Sequence, residues 1–128
     1  MITRVLIVDD SSVSRKLVQR CMEFAGLAGR SFVEAENGEK ALKLLEAGGI
    51  DLLITDFHMP VMDGLELLRA MSEIPALAQL PTILMTSVAG NKLKVDLERF
   101  PHVALIAKPI NPSVLAKTLA PLLGTSQP

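Results

Sequence analysis

Five short apolar runs punctuate the chain, and between them apolar positions recur every three or four residues. The first run, RVLIV at 4–8, is apolar at every position after Arg4. This predicts a strand buried on both faces of a parallel sheet. Asp9-Asp10 ends it, and Ser11-Ser12 offers the N-cap of a helix. There Val13, Leu17, Cys21 and Ala25 recur every four residues, with Val18 and Met22 beside them, which predicts a buried stripe. Gly26 and Gly29 are placed to stop that helix. SFVEA at 31–35 is a weaker strand, and Glu34 makes one face partly wet, so it belongs at or near a sheet edge. Asn37-Gly38 turns the chain into a helix with Ala41, Leu42, Leu44 and Leu45 inward and Glu39, Lys40, Lys43 and Glu46 outward. Gly48-Gly49 ends it.

The third strand, DLLITD at 51–56, delivers one acid, Asp56, to its C-terminal end. Met59-Pro60 forbids a simple continuation, because proline lacks the amide hydrogen a central strand must donate. Asp63 with Glu66 three residues on has the pattern of a capping box. The helix it opens buries Leu65, Leu68 and Met71 and is bounded by Pro75. Pro81 opens the fourth strand, PTILM, which ends at Thr86-Ser87. Residues 89–100 read as a helix with Leu93, Leu97 and Phe100 on its stripe and Lys92, Lys94, Asp96 and Glu98 exposed. HVALIA at 102–107 is the fifth strand, ending at Lys108-Pro109, and His102 before it reads as a solvated loop residue. Asn111-Pro112 is an N-cap with proline at the first helical position. Val114, Leu115, Thr118, Leu119 and Leu122 then form the inner face of a last helix that Pro121 kinks or ends. One domain over 1–124 and a tail or linker start at 125–128 account for the chain.

Strict strand-helix alternation with short connections predicts an α/β domain, a parallel sheet with helices on both faces. Right-handed crossovers leave few topologies, and the flavodoxin-like order 2-1-3-4-5 suits five strands in a chain this short. Composition agrees. The chain has 128 residues, enough for one core, with four Phe and no Trp or Tyr, so that core is aliphatic. A net charge of −1 with scattered Lys and Arg gives no phosphate-backbone footprint, so no direct nucleic-acid binding is expected. The single cysteine, Cys21, cannot pair internally and lies on an apolar stripe, which predicts a buried packing role in a reducing compartment. No apolar run reaches transmembrane length and no signal-peptide core opens the chain, so no membrane partner and a cytoplasmic location are expected.

A parallel sheet brings the C-terminal ends of its strands to one rim, where ligands bind in such folds. Strand 1 contributes Asp9 and Asp10, strand 3 Asp56, strand 4 Thr86 and strand 5 Lys108. Each alone is ordinary: a helix-capping acid pair, a strand-end turn acid, a strand-end threonine, a surface lysine. Together their charges explain one another. Three close carboxylates repel, Lys108 offsets one charge, and the remainder suits a hard divalent cation with oxygen ligands, Mg²⁺ above all. A carboxylate beside such an ion is a nucleophile toward phosphoryl groups, forming an aspartyl phosphate.

VLIVDDSSVSRKL, LLITDFHMPVMDG, ILMTSVAG and LIAKP resemble the signature segments of the response-regulator receiver domain of two-component signalling. VEAENGEKAL at 33–42 fits as well, and the likeness spans about residues 3–123. The resemblance implies a chemotaxis-regulator-like fold. It implies that Asp56 accepts a phosphoryl group from a sensor histidine kinase or histidine phosphotransfer protein. Asp10, Asp56 and the His58 backbone carbonyl would bind Mg²⁺, for which Mn²⁺ or Ca²⁺ can substitute, and Asp9 would act mainly through metal-bound water. Thr86 and Lys108 would engage the phosphoryl group, and Lys108-Pro109 would be cis. His58, Ser87, Val88, Leu105 and Pro109 are modulating positions: Val88 is apolar where some members place an acid or amide, and Leu105 stands where many carry Tyr or Phe as a switch. The downstream effector or output domain, or a homodimer formed on phosphorylation, would use the face made by helix 4, strand 5 and helix 5.

Two other functions fit the same elements. A receiver-like interaction module would never use the chemistry, but intact Asp9, Asp10, Asp56, Thr86 and Lys108 speak against it. A small Mg²⁺-dependent phosphohydrolase would need a cap or lid over its substrate, and no loop is long enough to supply one.

Overall fold

The structure is a computed structural model that describes residues 2–87 and 91–122. Val88, the first residues of the predicted fourth helix and the predicted boundary at 124 with its tail lie outside the described residues. The elements are β1 (Arg4–Val8), α1 (Ser12–Met22), β2 (Ser31–Ala35), α2 (Gly38–Glu46), β3 (Leu52–Asp56), α3 (Gly64–Ser72), β4 (Thr82–Thr86), α4 (Asn91–Leu97), β5 (Val103–Ala107) and α5 (Pro112–Leu119). All four strand pairings are parallel, in the order β2-β1-β3-β4-β5.

Period-two alternation along the central strands sorts the core. Val5, Ile7, Leu52, Ile54, Ile83 and Met85 face α1 and α5, packing with Val18, Met22, Leu115 and Leu119. Leu6, Val8 and Leu53 face α2 and α3, against Ala41, Leu45, Leu67 and Met71. Leu84 faces Leu65 and Leu68 of α3, Leu93 and Leu97 of α4, and Phe100 just beyond α4. β3 and β4 are buried at every position, whereas β2, at the edge, is not. Helix starts follow the sequence: Ser11, Asn37, Asp63 and Asn111 each accept an amide hydrogen bond at an N-cap, and Asp63 with Glu66 forms a complete capping box. Pro112 occupies the first turn of α5.

Helix rotation departs from expectation in two places. Val13 and Leu17 are 69% and 58% exposed, and Val114 is 41% exposed. The buried side of α1 is Val18 and Met22, continued by Ala25 just beyond it, because α1 is apolar over more of its circumference than one stripe and only one side meets the sheet and α5. Cys21 is half-buried at the margin of that core rather than fully enclosed. Nor do the glycines stop α1 outright. The chain widens into a π-helical turn, Glu23–Leu27, in which Gly26 takes φ 124°, and Gly29 follows at φ 82°. His102 is not a solvated loop residue. It is half-buried with its ring edge-on to Phe100 at 6.2 Å, and burial lowers its pKa.

Candidate functional site

The rim at the C-terminal ends of β1, β3, β4 and β5 is built by backbone tethers as much as by side chains. Asp9 N–H donates to the Ala35 carbonyl at 3.2 Å, Phe57 N–H to Met85 at 2.8 Å and Lys108 N–H to Thr86 at 2.8 Å. Each residue next to the chemistry is thus bound to the neighbouring strand. Beyond Asp56 the chain turns through 57–63 and returns at Gly64, whose N–H donates to the Phe57 carbonyl at 2.8 Å. Within that loop Met62 N–H reaches the Pro60 carbonyl at 2.7 Å, a γ-turn that puts Val61 at φ 71°.

Carboxylate oxygens of Asp9, Asp10 and Asp56 all lie within 4.8 Å of one another. Lys108 Nζ stands 3.2 Å from Asp56 Oδ2 and 3.6 Å from Asp9 Oδ2. Asp9 is 1% exposed and Asp56 is buried, while Asp10 is exposed and opens the cluster to solvent. Burial pushes the Asp9 carboxyl up, and the neighbouring Asp56 and Asp10 push the same way. The Ser11 amide and the Lys108 ammonium pull against them without prevailing. Among the described residues, Asp9 Oδ2 is buried without a hydrogen-bond partner. Three acids against one lysine, with a buried Asp9 oxygen that accepts no hydrogen bond, form a donor set that fits a hard, oxygen-seeking divalent cation.

Thr86 is fully buried at the end of β4, one residue past Met85, the partner of Asp56. His58 is exposed, edge-on to Phe57 at 4.6 Å. Ser87 is exposed, and Leu105, paired with Leu84, packs half-buried on the α3–α4 core. Lys108-Pro109 is cis, as expected. An open groove of about 470 Å³ leads away from the acids, lined by Asp9, Leu17, Cys21, Lys108 and Pro109 among others.

The family model of the response regulator receiver domain matches residues 5–120, nearly the whole described chain. The chain belongs to that family. It is 31% identical over 116 residues to the chemotaxis protein CheY of Pseudomonas aeruginosa, covering 91% of this chain and 92% of that protein. It is 32% identical over 124 residues to CheY1 of Helicobacter pylori, covering 96% and 98%. Among solved structures, Vibrio cholerae CheY4 superposes with a TM-score of 0.81 at 29% identity, covering 94% of this chain and 98% of that one. The signal receiver domain of a Syntrophus aciditrophicus histidine kinase gives 0.79 at 30% identity, covering 98% and 92%. The molecule is therefore a two-component receiver domain, a signalling domain rather than a conventional enzyme. Receivers bind Mg²⁺ at an acidic pocket and interact with histidine kinases, phosphotransfer proteins and effectors. No described helix is long and apolar enough to cross a membrane.

One residue at this receiver's rim escaped the sequence pattern. Arg15 of α1 donates from Nη1 to the Asp9 carbonyl and from Nε to Glu34 Oε1, both at 2.7 Å. That pairing holds the Glu34 carboxyl below its ordinary range. β2 therefore does reach the site, indirectly. The signal available was a wet position on an edge strand facing an arginine one turn into the helix after the acids, too common a pattern to single out.

Proposed function

We propose that Asp56 is the phosphoacceptor of this receiver, taking a phosphoryl group from a histidine kinase or histidine phosphotransfer protein and thereby changing the surface offered to an effector. The observation that carries this reading is the pairing of a buried Asp56 with Lys108 at 3.2 Å inside a cluster of three acids. An Asp56 carboxylate oxygen attacks the phosphorus of the donor. The new O–P bond forms as the P–N bond to the donor imidazole breaks, and the imidazole leaves with the electron pair. Asp10, Asp56 and the His58 carbonyl would hold Mg²⁺, with Asp9 acting mainly through a bound water, and the ion would supply charge neutralisation for the transferring group. Lys108 neutralises further charge, and the Thr86 hydroxyl donates to a phosphoryl oxygen, drawing the end of β4 toward the site. The domain catalyses only its own phosphorylation and dephosphorylation.

The change then travels to residues 87–91, at the junction of β4 and α4, and to the face formed by α4, β5 and α5, which serves the effector or a homodimer. Leu105 has no hydroxyl and is already half-buried against Leu84 and its neighbours, so its rotation offers little contrast between states. Movement at 87–91 supplies the larger part of the readout.

The test is incubation of the intact protein with acetyl phosphate and Mg²⁺, followed by mass spectrometry and phosphate release. One phosphoryl group per chain, reached in a burst and lost in Asp56→Asn, is expected. No uptake would turn the reading toward an interaction module, and sustained turnover far beyond one equivalent toward a phosphohydrolase.

A further inference from the structure

Arg15 sits five residues beyond Asp10, and its guanidinium ties the acid turn to the neighbouring strand. Its side chain is only 16% exposed, wedged between the Asp9 carbonyl and the Glu34 carboxylate. The carbonyl it holds belongs to the peptide that joins Asp9 to Asp10. Because that peptide is planar, fixing its oxygen fixes its rotation, and with it the direction in which the Asp10 side chain leaves the backbone. The Asp9 side of the turn has its own restraints, an N–H bond to Ala35 and an Oδ1 that accepts from Ser11 N–H at 3.0 Å. Asp10 is the exposed member of the triad and depends most on how its peptide is held.

We propose that Arg15 is a positioning residue of the acidic site: by clamping the Asp9–Asp10 peptide against Glu34, it aims the Asp10 carboxylate at the divalent-cation position between the three acids. This rests on the metal-dependent phosphoacceptor reading above. Electrostatics alone predicts the opposite consequence. Arg15 is a cation beside a cation site, so removing it should tighten divalent binding if charge were its only effect. Loss of a partner that orients a ligand instead weakens metal affinity, by roughly 10–100-fold in comparable sites. The sign of the change separates the two roles. Lysine cannot replace arginine fully, because a single ammonium lacks the rigid fork that reaches both acceptors at once.

Calorimetric titration of Mg²⁺ and Mn²⁺ into the full chain, with no phosphodonor present, reads this directly. Thermal unfolding of each variant checks that it is folded. Arg15→Ala should bind both ions roughly tenfold more weakly or worse, and Arg15→Lys should fall short of wild type while keeping the charge. Lys16→Ala is the control: Lys16 also pairs with Glu34, at 3.4 Å, but is 71% exposed and bonds to Glu34 rather than to Asp9. It should leave affinity unchanged or slightly tighter. With acetyl phosphate, Arg15→Ala should need more Mg²⁺ for half-maximal labelling yet approach the wild-type rate at saturation. If Arg15→Ala does not fold, Glu34→Gln, which loosens the strand end of the clamp, should weaken binding in the same direction. Unchanged or tighter binding in the folded variants, or a rate lost at saturating Mg²⁺ with affinity intact, overturns the inference. A wild-type chain that takes up neither ion nor phosphoryl group sinks the phosphoacceptor reading first and the inference with it. A wild type that does both beside an unaffected Arg15→Ala sinks the inference alone.

Discussion

Gly64→Ala is a stringent test of how the site is supported. Gly64 is the first residue of α3, where alanine would ordinarily be favoured over glycine by up to about 1 kcal/mol. The structure reverses that preference. A Cβ built on Gly64 would meet Leu84 Cδ1 at 2.7 Å, the Asp56 carbonyl oxygen at 2.9 Å and Phe57 Cα at 3.1 Å. The leucine tip can swing away, but two of the three contacts are backbone at the exit of β3. That backbone is fixed by the Phe57–Met85 bond on one side and the Gly64–Phe57 bond on the other. α3 or the strand end must shift by several tenths of an ångström. Overpacking of this kind costs about 1–3 kcal/mol, so after the helix gain a net loss near 1–2 kcal/mol is expected. Urea unfolding should show a midpoint lower by roughly 0.5–1 M at unchanged slope. Because the displaced backbone carries Asp56, labelling by acetyl phosphate should also slow at temperatures where the variant is fully folded. Gly48→Ala is the contrast: its Cβ meets nothing within 4 Å, and only its φ of 88° strains the substitution. It should lose stability without losing labelling rate. A Gly64→Ala protein as stable and as readily labelled as wild type would refute the reasoning.

Further consequences concern charge and movement. Asp9 has its pKa raised in the fold, so its ionised form costs stability above the folded value, and the cost vanishes as pH falls below the ordinary carboxylate range. Without metal at neutral pH, Asp9→Asn should therefore melt higher than wild type, the gap closing on acidification, and Mg²⁺ should stabilise wild type more than the variant. Asp51 behaves oppositely: its Oδ2 accepts from Thr3 N–H, Thr3 Oγ1 and Arg4 N–H at 3.0, 2.8 and 3.0 Å, which lowers its pKa. Its contribution is present above the ordinary carboxylate value and lost as pH falls through the lower folded one. Asp51→Ala should cost about 1 kcal/mol at neutral pH by denaturant titration, and progressively less in acid. Beryllofluoride, a phosphoryl mimic, should change amide hydrogen exchange most at 87–91 and in α4. Unchanged exchange at 87–91 beside a responding β5 around Leu105 would contradict a readout carried by 87–91.

The sheet and its rim were legible because parallel strands leave strong marks: five apolar runs, each closed by an acid, a hydroxyl or a lysine-proline pair. The caps at Ser11, Asp63 and Asn111 were legible for the same local reason, since each acts within one helical turn; Asn37, read as a turn residue, caps α2 as well. Helix rotation was legible in α2 and α3, whose expected inner residues Ala41, Leu45, Leu65, Leu68 and Met71 are buried, but not in α1 and α5. α1 carries two adjacent apolar stripes, and periodicity cannot say whether Leu17 or Val18 faces the sheet. The packing of Met22 and Ala25 beside α5 decides it. Val114 missed for a similar reason, lying just outside the sector that Leu115 and Leu119 fill. The half-burial of His102 follows from Phe100 folding against its ring, and the reach of Arg15 to Asp9 and Glu34 from the placement of α1 over the β1–β2 edge. Both are tertiary facts with no local signature.

The central claim, that Asp56 itself carries the phosphoryl group, is tested most directly by trapping the acyl phosphate. After brief exposure to acetyl phosphate and Mg²⁺, borohydride reduction should convert the phosphorylated aspartate to homoserine, and fragment mass spectrometry should then locate the change. Homoserine at position 56, absent without Mg²⁺ and absent in Asp56→Asn, is the predicted result. Homoserine at position 9 or 10, or an unmodified chain despite a fully folded protein, would contradict it.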